Sequence, residues 1–236
     1  MTLSLRFVHT EVAMKNQGGA KVFSIGFGRV ASRSLNAYLR LLGYRAIHWP
    51  AVVNGVDFKA RLVPFIGDPA GAVDALTPLL NKYDAFSDVP FPGLYRELAA
   101  RFPDARFMLL TRDLDAWFRS ASEIWALQRG AHVFDPFERV LYDVYLPGKL
   151  EVTLDDQALL IAAHQRHIIA CQEYFGDRLL CEDISNPQLG ASIAKFLGCA
   201  AWPFPHISDD AQPLWVTLAV AARAAQGYLF KGWRFQ

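Results

Sequence analysis

The stretch Lys21–Leu42, KVFSIGFGRVASRSLNAYLRLL, passes through three patterns in succession. Val22 to Phe27 is a short apolar run of the kind a buried parallel strand shows. Gly26 and Gly28 then loosen the backbone, and Arg29, Ser32, Arg33 and Ser34 follow at once. After them Leu35, Tyr38, Leu39 and Leu42 recur at i, i+3, i+4 and i+7, one face of a helix. A strand that turns through Gly, Ser and Arg into a helix exposes the helix's first amides beside two guanidiniums. That combination suits an anion, most simply a phosphate. The competing reading is an ordinary strand–helix connection with surface arginines.

Outward from this unit, strand-like runs keep alternating with helical ones. Gly43 stands where a helix C-terminal glycine belongs, and YRAIHW (44–49) is a second strand stopped by Pro50. Residues 51–80 break their pattern at Pro64, Gly67, Pro69 and Gly71, so they read as an excursion over the sheet edge with a short helix over 70–80. YDAFSDV (83–89) is a third strand, followed by a helix over 93–102. RFMLLT (106–111) is the clearest strand of the chain. A helix over 114–129 starts at Asp113 or Asp115, and 130–149 reads as a Pro/Gly/aromatic loop. A long helix over 155–174, a strand RLLCE (178–182), a helix over 187–197 and a last helix over 209–229 complete the order. Such alternation predicts an α/β fold, a three-layer sandwich with a mostly parallel central sheet. Ligands of these sheets bind beyond the carboxyl ends of the strands. That edge collects the turn after the first strand, His48, Asp88 and Arg112.

Composition limits the partners. The 236 residues are 53% apolar with a formal net charge of +1. This predicts one domain over 1–236, with 1–20 an irregular arm and 207–236 a terminal helix and tail. So small a net charge gives no bulk attraction to nucleic acid or membrane surfaces. Cys171, Cys181 and Cys199 have neither CxxC nor Cys/His spacing, which points to buried thiols in a reducing cytoplasm and to no metal. No run reaches the ~20 apolar residues of a membrane span, and the first twenty residues lack the apolar core of a secretion signal.

A second pair of residues could face an anion, the competing reading being Arg112 paired with Asp113 or capping a carbonyl and Ser120 a solvated helix serine. Arg112 leaves the end of a buried strand, and Ser120 lies eight residues on, about two helical turns into the next helix. Taken together, KVFSIGFGRVASRSLNAYLRLLGYRAIHWP, FSDVPFPGLYRELAARFPDARFMLLTRD, LLTRDLDAWFRSA and RLLCEDI…KFLGCAAWPFPH resemble the sulfotransferase family in order and spacing, from Lys21 to His206. The resemblance implies a fold related to P-loop kinases and the donor 3′-phosphoadenosine 5′-phosphosulfate, PAPS. It implies transfer of a sulfuryl group to a hydroxyl or amine of a small-molecule or glycan acceptor, without a metal, leaving adenosine 3′,5′-bisphosphate.

On the same resemblance, Arg29, Val30, Ala31, Ser32, Arg33 and Ser34 form the 5′-phosphosulfate loop, and Arg112 with Ser120 hold the 3′-phosphate. Arg29 stands where the family has a lysine and is the expected cation. Asp88 stands where many relatives carry a catalytic histidine, and His48 competes with it as the base. The loop departs from the family's Lys-Thr-Gly-Thr-Thr, giving Arg29, Val30, Ala31, Ser32 and Arg33. Arginine keeps the charge but cannot give up a proton. Ala31 matters if the backbone there has positive φ. The alternatives are a nucleotide-binding relative with little or no turnover and a P-loop kinase, the latter opposed by the missing GxxxxGK[ST]. Trp49, Phe58, Phe65, Phe91, Trp125 and Phe134 are candidates to line an apolar acceptor pocket, with burial in the core as the other reading.

Overall fold

A computed structural model describes residues 20–207 and 214–231. Five parallel strands form the central sheet: β1 (Val22–Ser24), β2 (Ala46–His48), β3 (Ala85–Ser87), β4 (Arg106–Thr111) and β5 (Leu179–Asp183). Their order is β2-β3-β1-β4-β5. β1 therefore lies in the middle, with Phe23 opposite Phe86 of β3 and Phe107 of β4. Rings of these three residues stack at centroid distances of 4.9 and 5.4 Å. Such a sheet, covered on both faces, reads as unbroken apolar runs, which is why five strands were recognisable.

The α/β fold is as the alternation predicts, with strands shorter than the apolar runs. β1 stops at Ser24 although the run continues to Phe27, because the chain at Gly26 crosses against β4. A Cβ on Gly26 would sit 2.7 Å from the Leu110 carbonyl oxygen, a contact no side chain tolerates. The strand must end so that the loop can turn there.

Helices α1 (Ser32–Leu41), α2 (Tyr95–Arg101), α3 (Leu114–Ile124), α4 (Pro136–Tyr145), α5 (Gln157–Phe175), α6 (Leu189–Leu197) and α7 (Leu214–Lys231) flank the sheet. The Tyr38 hydroxyl donates to the Gly190 carbonyl at 2.7 Å, fixing α6 beside α1. On the α5 side, Phe175 stacks on Phe107 at 4.5 Å. Residues 51–80 hold a two-residue ribbon, Val52–Val53 with Val56–Asp57, and short helices Phe58–Leu62, Pro69–Ala75 and Thr77–Lys82. The expected single helix over 70–80 is thus two.

Residues 130–149 are not the expected loop throughout, for they contain α4. Asp135 caps the helix by accepting from the amides of Phe137 and Glu138, while the Glu138 carboxylate accepts from the Asp135 amide at 2.9 Å. Pro136 begins the helix rather than breaking it, since its missing N–H is one the first turn would leave unused. The expected arm (1–20), apart from residue 20, the start of the last helix at 209–213 and the final residues 232–236 lie outside the described residues. No helix among the described residues is long and apolar enough to cross a membrane.

Candidate active site

Parallel register brings the site together. His48 pairs with Ser87, so the residues just beyond, Trp49 and Asp88, leave the sheet at one level. The turn after β1 and Arg112 after β4 leave beside them. A cleft of about 370 Å³ opens along this edge, lined by Arg29, Ala31, Ser32, Arg33, Ser34, His48, Asp88, Arg112, Ile184, His206 and Ile207. All the loop positions expected at the site line it except Val30, whose side chain is buried in the core. Ser120 stands behind the lining, on α3.

The backbone is strained in the loop and just beyond β2 and β3. Arg29 has φ 70°, Ala31 58°, Trp49 41° and Asp88 72°. Non-glycine residues seldom occupy this region, and where they do they cluster at functional sites. Ala31 is the N-cap of α1 and contributes no side-chain hydrogen bond, and no acidic residue stands in the first turn. The positive end of the α1 dipole therefore faces the cleft without a carboxylate cap.

Two side-chain clusters converge there. In the first, the Ser32 hydroxyl donates to Asp88 Oδ2 at 2.8 Å and lies 3.0 Å from His48 Nε2. His48 Nε2 is itself 3.0 Å from Asp88 Oδ2. The Val89 amide donates to Asp88 Oδ1 at 2.8 Å. Burial works to raise the Asp88 pKa, but the bonds from His48, Val89 and Ser32, with the attraction of His48, outweigh it and hold the carboxyl below its usual range. In the second, Arg29 Nε donates to Ser120 Oγ at 3.0 Å, and Arg112 donates to the Arg29 carbonyl at 3.3 Å. Burial first, then the neighbouring Arg33, lower the Arg29 pKa; a guanidinium keeps its charge even so.

Behind the loop stands a layer of heterocycles that no local sequence signal assigns to the site. Trp117 Nε1 on α3 donates to the Gly28 carbonyl at 2.9 Å. His167 Nε2 on α5 meets the Ile25 carbonyl at 2.5 Å, and Tyr145 lies 2.8 Å from its Nδ1. The carbonyl at Ile25 accepts only, so Nε2 carries the proton and the Tyr145 hydroxyl donates to Nδ1. His164, one turn earlier, stacks flat on Phe27 at 4.5 Å and edge-on to Trp117 at 4.4 Å. Both of its ring nitrogens are buried, with no hydrogen-bond partner among the described residues. Burial pushes the pKa of His164 down to about 3 and that of His167 to about 4. His206 and Ile207 are also additions; the Ile207 amide donates to Ser34 Oγ at 3.0 Å, closing one end of the cleft.

A family model described as a sulfotransferase domain matches residues 21–212. The chain belongs to the sulfotransferase family. Curated proteins offer no match to it. As in the family's fold, the five-stranded parallel sheet is flanked by helices.

Of the aromatic residues expected around an acceptor, Phe58, Phe91 and Phe134 are buried in the core. Rings of this size pack where the excursion and α4 meet the sheet, and burial there gains more than exposure at a cleft. Phe65 lines a separate cavity of about 230 Å³, and the Trp125 indole donates to Glu138. Trp49 alone of the six is largely open, 45% exposed, with Lys59 over its ring at 4.3 Å.

Proposed function

We propose that this sulfotransferase-family protein moves a sulfuryl group from PAPS to a hydroxyl or amine of a small-molecule or glycan acceptor, releasing adenosine 3′,5′-bisphosphate. The observation that carries the reading is one cleft that joins an uncapped helix start and three arginines to an Asp–His pair. The amides of the Arg29–Ser34 loop and the α1 dipole receive the 5′-phosphosulfate, and Arg112 with Ser120 receive the 3′-phosphate.

Asp88 and His48 act as one unit and take the proton of the acceptor. The acceptor oxygen or nitrogen then bonds to sulfur as the bond from sulfur to the 5′-phosphate oxygen breaks. Charge gathering on that oxygen is held by the loop amides and the cations lining the cleft, as in other group transfers of this geometry. Ser32, bonded to Asp88 and near His48, keeps the pair oriented at the loop. The reading extends to a protein that works in the cytoplasm, in keeping with three free cysteines.

The test is release of adenosine 3′,5′-bisphosphate from PAPS in the presence of a panel of phenols, alcohols, amines and sugars. Turnover with at least one acceptor, lowered about 100-fold or more in Asp88→Asn, is the expected result. A chain that binds the bisphosphate but turns over with none of them would favour the non-catalytic alternative, for which the missing loop lysine speaks. Turnover left intact in Asp88→Asn would remove that residue from the mechanism.

A further inference from the structure

Arg29 belongs by sequence to the 5′ loop, but its side chain leaves that loop. Its Nε donates to Ser120 Oγ at 3.0 Å, across 91 residues. Its carbonyl accepts from Arg112 at 3.3 Å, across 83. Both partners are the residues assigned to the 3′-phosphate. Their geometry leaves donors to spare. Among the described residues, Ser120 Oγ, accepting from Arg29, has its own O–H to donate, Arg29 keeps the N–H groups of both terminal nitrogens, and Arg112 keeps all but one of its own.

We infer that the Arg29 side chain is a 3′-phosphate ligand, completing with Arg112 and Ser120 a three-residue clamp that makes the protein select 3′-phosphorylated adenylates. The inference rests on the proposed donor and reassigns one residue within it, away from the sulfuryl group. A lysine at this position would carry a point charge with no Nε–H fork to hold the serine while its terminus binds phosphate, whereas a guanidinium does both at once. Arg29, Arg33 and Arg112 line one cleft, and a dianionic phosphate between Arg29 and Arg112 relieves their mutual repulsion.

The experiment is isothermal titration of the full chain with adenosine 3′,5′-bisphosphate and, separately, with adenosine 5′-monophosphate, for the parent protein and for Arg29→Gln, Arg29→Lys and Ser120→Ala. The parent should prefer the bisphosphate by about 100-fold or more. Arg29→Gln should weaken the bisphosphate about 10- to 100-fold, the range of a charge-assisted hydrogen bond, and leave the monophosphate within about 2-fold. Ser120→Ala should give a smaller loss confined to the bisphosphate, and Arg29→Lys should not restore the parent's preference. An equal loss for both ligands in Arg29→Gln would return Arg29 to the 5′ group and overturn the inference, as would no loss for either. A parent protein that binds neither ligand would instead refute the proposed donor itself.

Discussion

Four residues bear the cost of building the cleft. Arg29, Ala31, Trp49 and Asp88 sit in left-handed backbone that side chains disfavour, each by about 1–2 kcal/mol. Ala31 is the cleanest case, because its methyl makes no hydrogen bond and caps nothing. Ala31→Gly should stabilise the fold by about 1 kcal/mol, a gain of about 2–4 °C in melting temperature for a chain of this length. A melting temperature that stays put or falls would show that the strain at Ala31 is not what the dihedral suggests. Here the sequence was legible only conditionally. It exposed Ala31 and Arg29 as departures from the loop of the resembling family, but φ is set by where the loop must cross β4. That crossing is a contact with Leu110, some eighty residues away. In the same way Arg112 and Ser120 were legible as a pair, while the reach of Arg29 to Ser120 was not, because a side chain's direction depends on the fold around it.

At the scale of the element, α3 and α5 hold the loop from behind. Trp117 and His167 supply the N–H groups that Gly28 and Ile25 need once the strand has ended. His164 contributes only its ring face, and its two unpaired nitrogens burden the fold. Its folded pKa, about 3, lies below the ordinary value of 6.5. As pH falls below about 6.5, the unfolded chain takes up a proton that buried His164 refuses, so stability drops by about 1.4 kcal/mol per pH unit until the folded pKa is reached. His164→Phe keeps the ring stack and removes this term. In urea unfolding it should be more stable than the parent by about 1–3 kcal/mol at pH 7.5, with an advantage larger by about 1 kcal/mol at pH 5.5. An advantage that does not grow on acidification, or a loss at pH 7.5, would mean that His164 is not buried neutral. α5 was recognisable from its length and composition, but its inward histidines were not. They share the helix with Gln157, Gln165 and Arg166, and polar residues on a helix usually mark its wet face. α4 is hidden for a different reason: its Asp135–Glu138 capping pair is in the sequence, but the prolines and glycines of 130–149 read as loop residues.

For the molecule as a whole, the order β2-β3-β1-β4-β5 opens a cleft at the end of β1. The chain leaves β1 toward β2, returns through β3, and only then passes to β4 on the far side. The loops on the two sides part over the strand between them, and the cleft lies there. The sequence supplied the strands and the edge at which their loops gather, because apolar runs and turn residues are local signals. It did not supply the order, since this depends on pairings such as Leu109 with Cys181 that only the assembled sheet fixes. On the proposed reading this edge binds a 3′-phosphorylated adenylate. This is tested most directly by the melting temperature of the parent chain and of Arg112→Ala, each with adenosine 3′,5′-bisphosphate and with ATP and magnesium. At 100 times its Kd the bisphosphate should stabilise the parent by about 2.7 kcal/mol, or about 5–10 °C, with no such shift in Arg112→Ala and none in the parent with ATP. A shift that survives in Arg112→Ala, or one that ATP produces and the bisphosphate does not, would show that this edge does not hold a 3′-phosphate through Arg112.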